Sequence, residues 1–126
     1  MKILKKIRKM IRKVKGVDKK VVPLIDKSSQ VLMDFGKDIF MRKTSPPSLE
    51  RLREALFHLE REVSTNTFLE DLEPALIYEI GFRFSSLYSI ISKIGQILDN
   101  KEFENARLYF RVLLREFEQL RSLILG

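Results

Sequence analysis

The sequence predicts an all-α fold: an antiparallel four-helix bundle with an additional basic amphipathic helix at its N-terminus. Three observations carry this. Five segments repeat apolar residues at steps of three and four, the spacing that draws one stripe along a helix. The breaks between them are short and polar or proline-containing, which joins neighbouring helices in opposite directions. No stretch alternates apolar and polar residues with the period of two that marks a half-buried strand.

The first segment carries Leu4, Ile7, Ile11 and Val14, with Ile3 and Met10 beside them, and Gly16 is its expected stop. We therefore divide the chain into a basic amphipathic helix over 1–16 and a helical bundle over 17–126, together one domain. The second stripe is Ile25, Ser28, Leu32, Phe35 and Ile39, flanked by Leu24 and Val31, with Pro23 expected in the first turn. Thr44-Ser45-Pro46-Pro47 is the clearest break, and Ser45 or Ser48 is the expected cap of the next helix. That helix carries Leu49, Leu52, Leu56, Leu59 and Val63, and Ser64 to Thr67 end it. Thr67 and Glu70 then have capping-box spacing, and Pro74 restarts the helical pattern.

The fourth stripe is Ile77, Ile80, Phe84, Leu87, Ile91, Ile94 and Leu98, closed by Asp99-Asn100. Ile90 and Ile97 lie off this stripe, so the helix is apolar almost all round and should be buried on several sides. Beside the stripe run Gly81, Ser85, Tyr88, Ser92 and Gly95. Each glycine costs a helix interior about 1 kcal/mol relative to alanine, which predicts close helix packing there as the compensation. The fifth stripe is Phe103, Ala106, Phe110, Leu113, Phe117, Leu120 and Ile124.

Composition excludes much chemistry. The chain has 126 residues, 44% of them hydrophobic and 33% charged, which suits one folded domain. With no cysteine there is no disulfide, thiolate metal site or cysteine nucleophile. His58 is the only histidine, so a two-histidine carboxylate di-iron site cannot form, and Glu54 and Glu62 beside it complete no metal set. The five glycines are scattered rather than gathered into a phosphate loop. No cofactor and no small-molecule substrate is indicated. Few Asn and Gln among many Lys, Arg and Glu resemble the composition of hyperthermophile proteins.

Charge is the strongest functional signal. The net charge is +7, but residues 1–20 hold ten Lys/Arg against Asp18 alone, a net +9. The other 106 residues hold fourteen Lys/Arg against sixteen Asp/Glu, a net −2. Lys2, Lys5, Lys6, Arg8, Lys9, Arg12, Lys13 and Lys15 surround the N-terminal apolar stripe. A basic amphipathic helix of this kind engages an anionic membrane surface, or lies along a phosphate backbone, or packs its stripe and leaves its lysines solvated. Residues 1–20 contain no aromatic for base stacking and no Asn or Gln for base edges, so nucleic-acid binding would be sequence-nonspecific. Lysines interrupt the N-terminus too often for a secretory signal. The longest charge-free run of the apolar fourth segment, Phe84 to Ser92, is far below the roughly 18 residues a spanning helix needs. These features predict a cytoplasmic protein, peripheral at a membrane.

Two further features bear on function. Arg53 and His58 form Arg-x-x-x-x-His, which resembles the motif of HEPN-type ribonucleases, small helical bundles that cut RNA as dimers. The resemblance covers these two residues and implies metal-independent RNA cleavage with Arg53 and His58 at the site. On a continuous helix they lie about 140° apart. On the last helix, Leu108 and Val112 lie opposite the Phe110 seam and predict self-association as a homodimer, since exposed contiguous apolar area marks interfaces.

Overall fold

The computed structural model describes residues 17–65 and 74–125, all of them in helices or the short turns between them, with no strand among the described residues. The four helices are α1 (Val17–Phe40), α2 (Pro47–Thr65), α3 (Pro74–Asp99) and α4 (Phe103–Leu125). The N-terminal segment 1–16, with its expected stop at Gly16, and the Thr67–Glu70 capping box lie outside the described residues.

The four apolar stripes meet in one core. Phe35, Leu59, Leu87, Ile91, Ile94, Leu98 and Leu120 are fully enclosed, and each helix supplies at least one of them. α1 packs most extensively on α2, and α3 on α4, with smaller α1–α4 and α2–α3 seams. Pairs across the seams fix the directions. Asp38 meets Ser48 and Asp34 meets Arg51 across α1–α2. Tyr88 meets Glu60 and Ser92 meets Arg53 across α2–α3. In each case the number rises on one helix as it falls on the other, so the two helices run antiparallel.

Both helix–helix turns among the described residues close by the same device. The Lys43 amide donates to the Asp38 carbonyl and the Arg42 amide to the Ile39 carbonyl; Glu102 and Lys101 repeat this on Ile97 and Leu98. This is the Schellman pattern, and its left-handed residues are Arg42 (φ 60°) and Lys101 (φ 59°), where glycine is usual.

Four local expectations need correction. Pro23 lies inside α1, not in its first turn. Its exposed ring withholds an amide from the carbonyl of Lys19, a residue itself at the solvent surface. Ser48 does not cap α2: it is buried, and its hydroxyl donates to Asp38 Oδ2 at 2.7 Å. Pro47 opens α2 instead, with the Leu49 amide on the Pro46 carbonyl. Ile77 stays exposed, because it trails Ile80 by about 60° around the helix and falls off the edge of the core. Among the described residues, no neighbour outside its own stretch of helix comes within 4 Å of where a Gly81 Cβ would stand, so none of them packs closely against it. The companion expectation at Gly95 holds in a milder form, with Leu49 Cδ1 3.2 Å from that point. The tightest approach is elsewhere, at Gly36, where a Cβ would meet Phe110 Cζ at 2.5 Å.

Candidate functional site

The lysine-rich residues Lys2 to Lys15 and the stripe Ile3 to Val14 lie outside the described residues. What the structure does describe is the outer surface of α1 and α4. Leu108 and Val112 point outward, 59% and 40% exposed, four residues apart on one face of α4. Arg111 and Arg115 share that side of the helix and have no ion-pair partner among the described residues. Arg107 pairs with Glu104 at 3.3 Å and lays its guanidinium over the Phe40 ring, 4.9 Å from the centroid. Its Nε is enclosed with no hydrogen-bond partner among the described residues, and the cation–π contact is the attraction the guanidinium gains there.

On the other side of α4, where Phe110 faces α1, lies an apolar groove of about 410 Å³, lined by Met33, Gly36, Lys37, Phe40, Met41 and Phe110. Met33, Phe40 and Met41 are 52%, 68% and 68% exposed, the largest apolar outcrop on α1. The floor is where Phe110 rides over Gly36, in edge-to-face contact with the enclosed Phe35 ring (6.1 Å, 75°). The sequence reading missed this groove, although its signal is there. Met33 and Phe40 are seven apart, two turns along one line that avoids the Ile25–Ile39 stripe.

The structure does not bring Arg53 and His58 together. Arg53 points across to α3, donating to Ser92 Oγ at 3.2 Å and pairing with Glu50. It lines a groove of about 540 Å³ with Leu49, Gly95, Gln96 and Asp99, and His58 is not among the lining residues. His58 is exposed beside Phe57, with ring centroids 6.1 Å apart.

The remaining polar contacts tie helices together. Asp38 holds its carboxyl below the ordinary range, first through the Ser48 hydroxyl and then through Lys43 at 3.0 Å. Tyr88 donates to Glu60 Oε1 at 3.1 Å, and burial, with the Glu60 carboxylate, holds its phenol above the ordinary value. Arg83 clamps Glu116 at 2.7 Å and Glu79 at 3.0 Å, joining α3 to α4. No group of three or more His, Cys, Asp or Glu is placed to hold a metal among the described residues. None of the described helices is long and apolar enough to cross a membrane. Comparison with protein-family models, with curated proteins and with solved structures finds no match to this chain.

Proposed function

We propose that this chain is a non-enzymatic interaction protein. In this reading an antiparallel four-helix bundle carries a lysine-rich amphipathic N-terminal helix that engages an anionic surface, a membrane ahead of nucleic acid. The observation that carries the proposal is the charge asymmetry: +9 over residues 1–20 against −2 over the rest. A polyanion would be attracted to one end of the molecule and met with near-neutrality elsewhere. The apolar stripe Leu4, Ile7, Ile11 and Val14 among those lysines favours lipid, because interfacial binding sums buried apolar area and headgroup attraction. Duplex binding needs only the cations.

Flotation with vesicles tests this. The protein should float with vesicles rich in phosphatidylserine and not with purely zwitterionic ones. Replacing Ile7 and Ile11 by Ser should abolish flotation while the helical spectrum is retained. Replacing Lys5, Lys9 and Lys13 by Glu should do the same. If the Ile variant keeps duplex binding that falls steeply with salt, and the wild type never floats, the surface is nucleic acid. Absence of both kinds of binding, together with a large loss of stability in the Ile variant, would overturn the proposal in favour of a packed, solvated helix.

A further inference from the structure

Charge is sorted across the last turns of α1. Its two carboxylates there turn toward α2: Asp34 lies 3.9 Å from Arg51, and Asp38 accepts from Ser48 and pairs with Lys43 at 3.0 Å. The free side carries Met33, Lys37, Phe40 and Met41, all exposed, at steps of four, three and one that keep them together. Met41 continues the helical turn, its amide donating to the Lys37 carbonyl at 2.9 Å. Lys37 and Arg42 are exposed and make no ion pair among the described residues. Lys19, exposed in the first turn of α1, stands about five full turns before Lys37, so the two cations share one line of the helix. Asp26, between them, is the exposed acid of that line.

We infer that α1 lies along an anionic membrane surface, its Met33, Phe40 and Met41 entering the interface while Lys37 and Arg42 reach back to the lipid phosphates. This rests on the reading of the N-terminus as a membrane contact and adds the orientation of the bundle. Met33 and Phe40 stand about 24 and 35 Å along the axis from Val17, beside the basic run of residues 1–20. A bundle held at that end alone would stand on the surface, whereas a second contact at this distance lays α1 down along it. Unpaired cations among exposed apolar side chains complement anionic headgroups above acyl chains. A protein partner suits the face less well. A specific interface takes roughly 800 Å² per partner, more than three side chains and one shallow groove supply, and a second copy brings the same unpaired cations with it. Lipid sets no such threshold, because each side chain partitions separately and fluid acyl chains fill the open groove of about 410 Å³ over Phe110.

Tryptophan probes test the orientation, since the chain has no tryptophan of its own. One replaces Phe40. The other replaces the exposed Tyr78 on α3, which sits across the bundle from α1. On vesicles rich in phosphatidylserine, emission of Phe40→Trp should shift to the blue and be quenched by lipids brominated near the top of the acyl chain. Emission of Tyr78→Trp should not change. Phe40→Ser should weaken partitioning by about tenfold and Lys37→Gln by about fivefold, with far-UV spectra unchanged. A vesicle-bound Phe40→Trp whose emission keeps its free value overturns the orientation and leaves the N-terminal contact standing. Quenching of Tyr78→Trp without quenching of Phe40→Trp does the same, as the pattern of a bundle standing on end. A wild type that binds no anionic vesicle removes the membrane reading and this inference together. Binding that survives Ser at Ile7 and Ile11 but is lost in Phe40→Ser would remove the N-terminal contact and support this one. A blue shift of Phe40→Trp that grows with protein concentration in the absence of vesicles puts a second copy on this face and overturns the lipid assignment.

Discussion

Gly36 offers the sharpest test of the packing described above, because helix propensity and sterics there oppose each other. Gly36→Ala in mid-helix gains about 1 kcal/mol of propensity. The added Cβ would stand 2.5 Å from Phe110 Cζ and 2.7 Å from Cε1, against an ordinary carbon contact of about 3.5 Å or more. The ring must retreat by about 1 Å. It cannot move inward, because the fully enclosed Phe35 ring lies against it at 6.1 Å. Moving outward surrenders the edge-to-face contact, worth about 0.5–1.5 kcal/mol, and part of the ring's burial. An overpacking cost of about 2 kcal/mol against the propensity gain leaves a net loss of about 1 kcal/mol. In a Phe110→Ala background the obstacle is gone, and Gly36→Ala should stabilise by about 1 kcal/mol. The four proteins form a double-mutant cycle with a coupling of about 2 kcal/mol. Urea denaturation followed by far-UV circular dichroism, at concentrations where the chain is monomeric, measures it. Additivity within about 0.5 kcal/mol, with Gly36→Ala stabilising in both backgrounds, would refute the contact.

Gly81 should behave oppositely. No described residue crowds its missing side chain, so Gly81→Ala should stabilise by about 1 kcal/mol in the same denaturation assay; a loss would refute that open position. Lys101→Gly should stabilise by about 1 kcal/mol by relieving the left-handed backbone. Arg42→Gly should gain less, since it gives up the guanidinium 5.9 Å from the Phe103 ring centroid, and equal gains would show that contact to be idle. Tyr88 predicts an alkaline limit. An unfolded tyrosine ionises near pH 10, whereas the folded Tyr88 holds its proton to higher pH. Above about pH 10 the unfolded state therefore binds fewer protons, and stability falls with rising pH. Tyr88→Phe should flatten that decline while leaving the neutral-pH slope unchanged, and an unaltered alkaline limb would argue against the burial of this phenol.

The stripes were legible because burial in helices is periodic. Leu52–Leu56–Leu59–Val63 and Ile80–Phe84–Leu87–Ile91–Ile94–Leu98 read directly as core, and they are core. Ile97, predicted from the off-stripe apolars of the same helix, is buried as well. Features set by partners from distant sequence were not legible. Gly36 and Gly81 look alike along the chain, and only the arrival of Phe110 seventy-four positions later separates them. Ser48 has the local grammar of a cap, but Pro47 already opens the helix and Asp38 claims the hydroxyl. The left-handed Arg42 and Lys101 gave no warning, since the usual sign of such a cap is glycine. The outward position of Leu108 and Val112 was readable from the helix period. The groove on the opposite side of α4 was not recognised, because Met33 and Phe40 belong to one helix and Phe110 to another.

The two smaller seams differ in kind. Across α2–α3 the side-chain hydrogen bonds are Arg53 with Ser92 and Tyr88 with Glu60, beside the apolar approach of Leu49 to Gly95. Across α1–α4 the contacts are aromatic: Phe35 on Phe110, Arg42 over Phe103, Arg107 over Phe40. Polar pairs lose little when wetted at a surface, but an aromatic seam gains from every water excluded beside it. A copy docked through Leu108 and Val112, which face away from Phe110 on α4, would lie off the aromatic seam, so dimerisation would stabilise the fold by mass action and not by covering the joint between the α1–α2 and α3–α4 hairpins. Stability then depends on concentration. Where the dimer predominates, a hundredfold rise in protein adds about 2.7 kcal/mol per dimer, or about 1.4 kcal/mol per chain. Thermal midpoints of the wild type should climb across that range, and those of Leu108→Glu should not move. Wild-type midpoints that stay flat across that range would refute self-association.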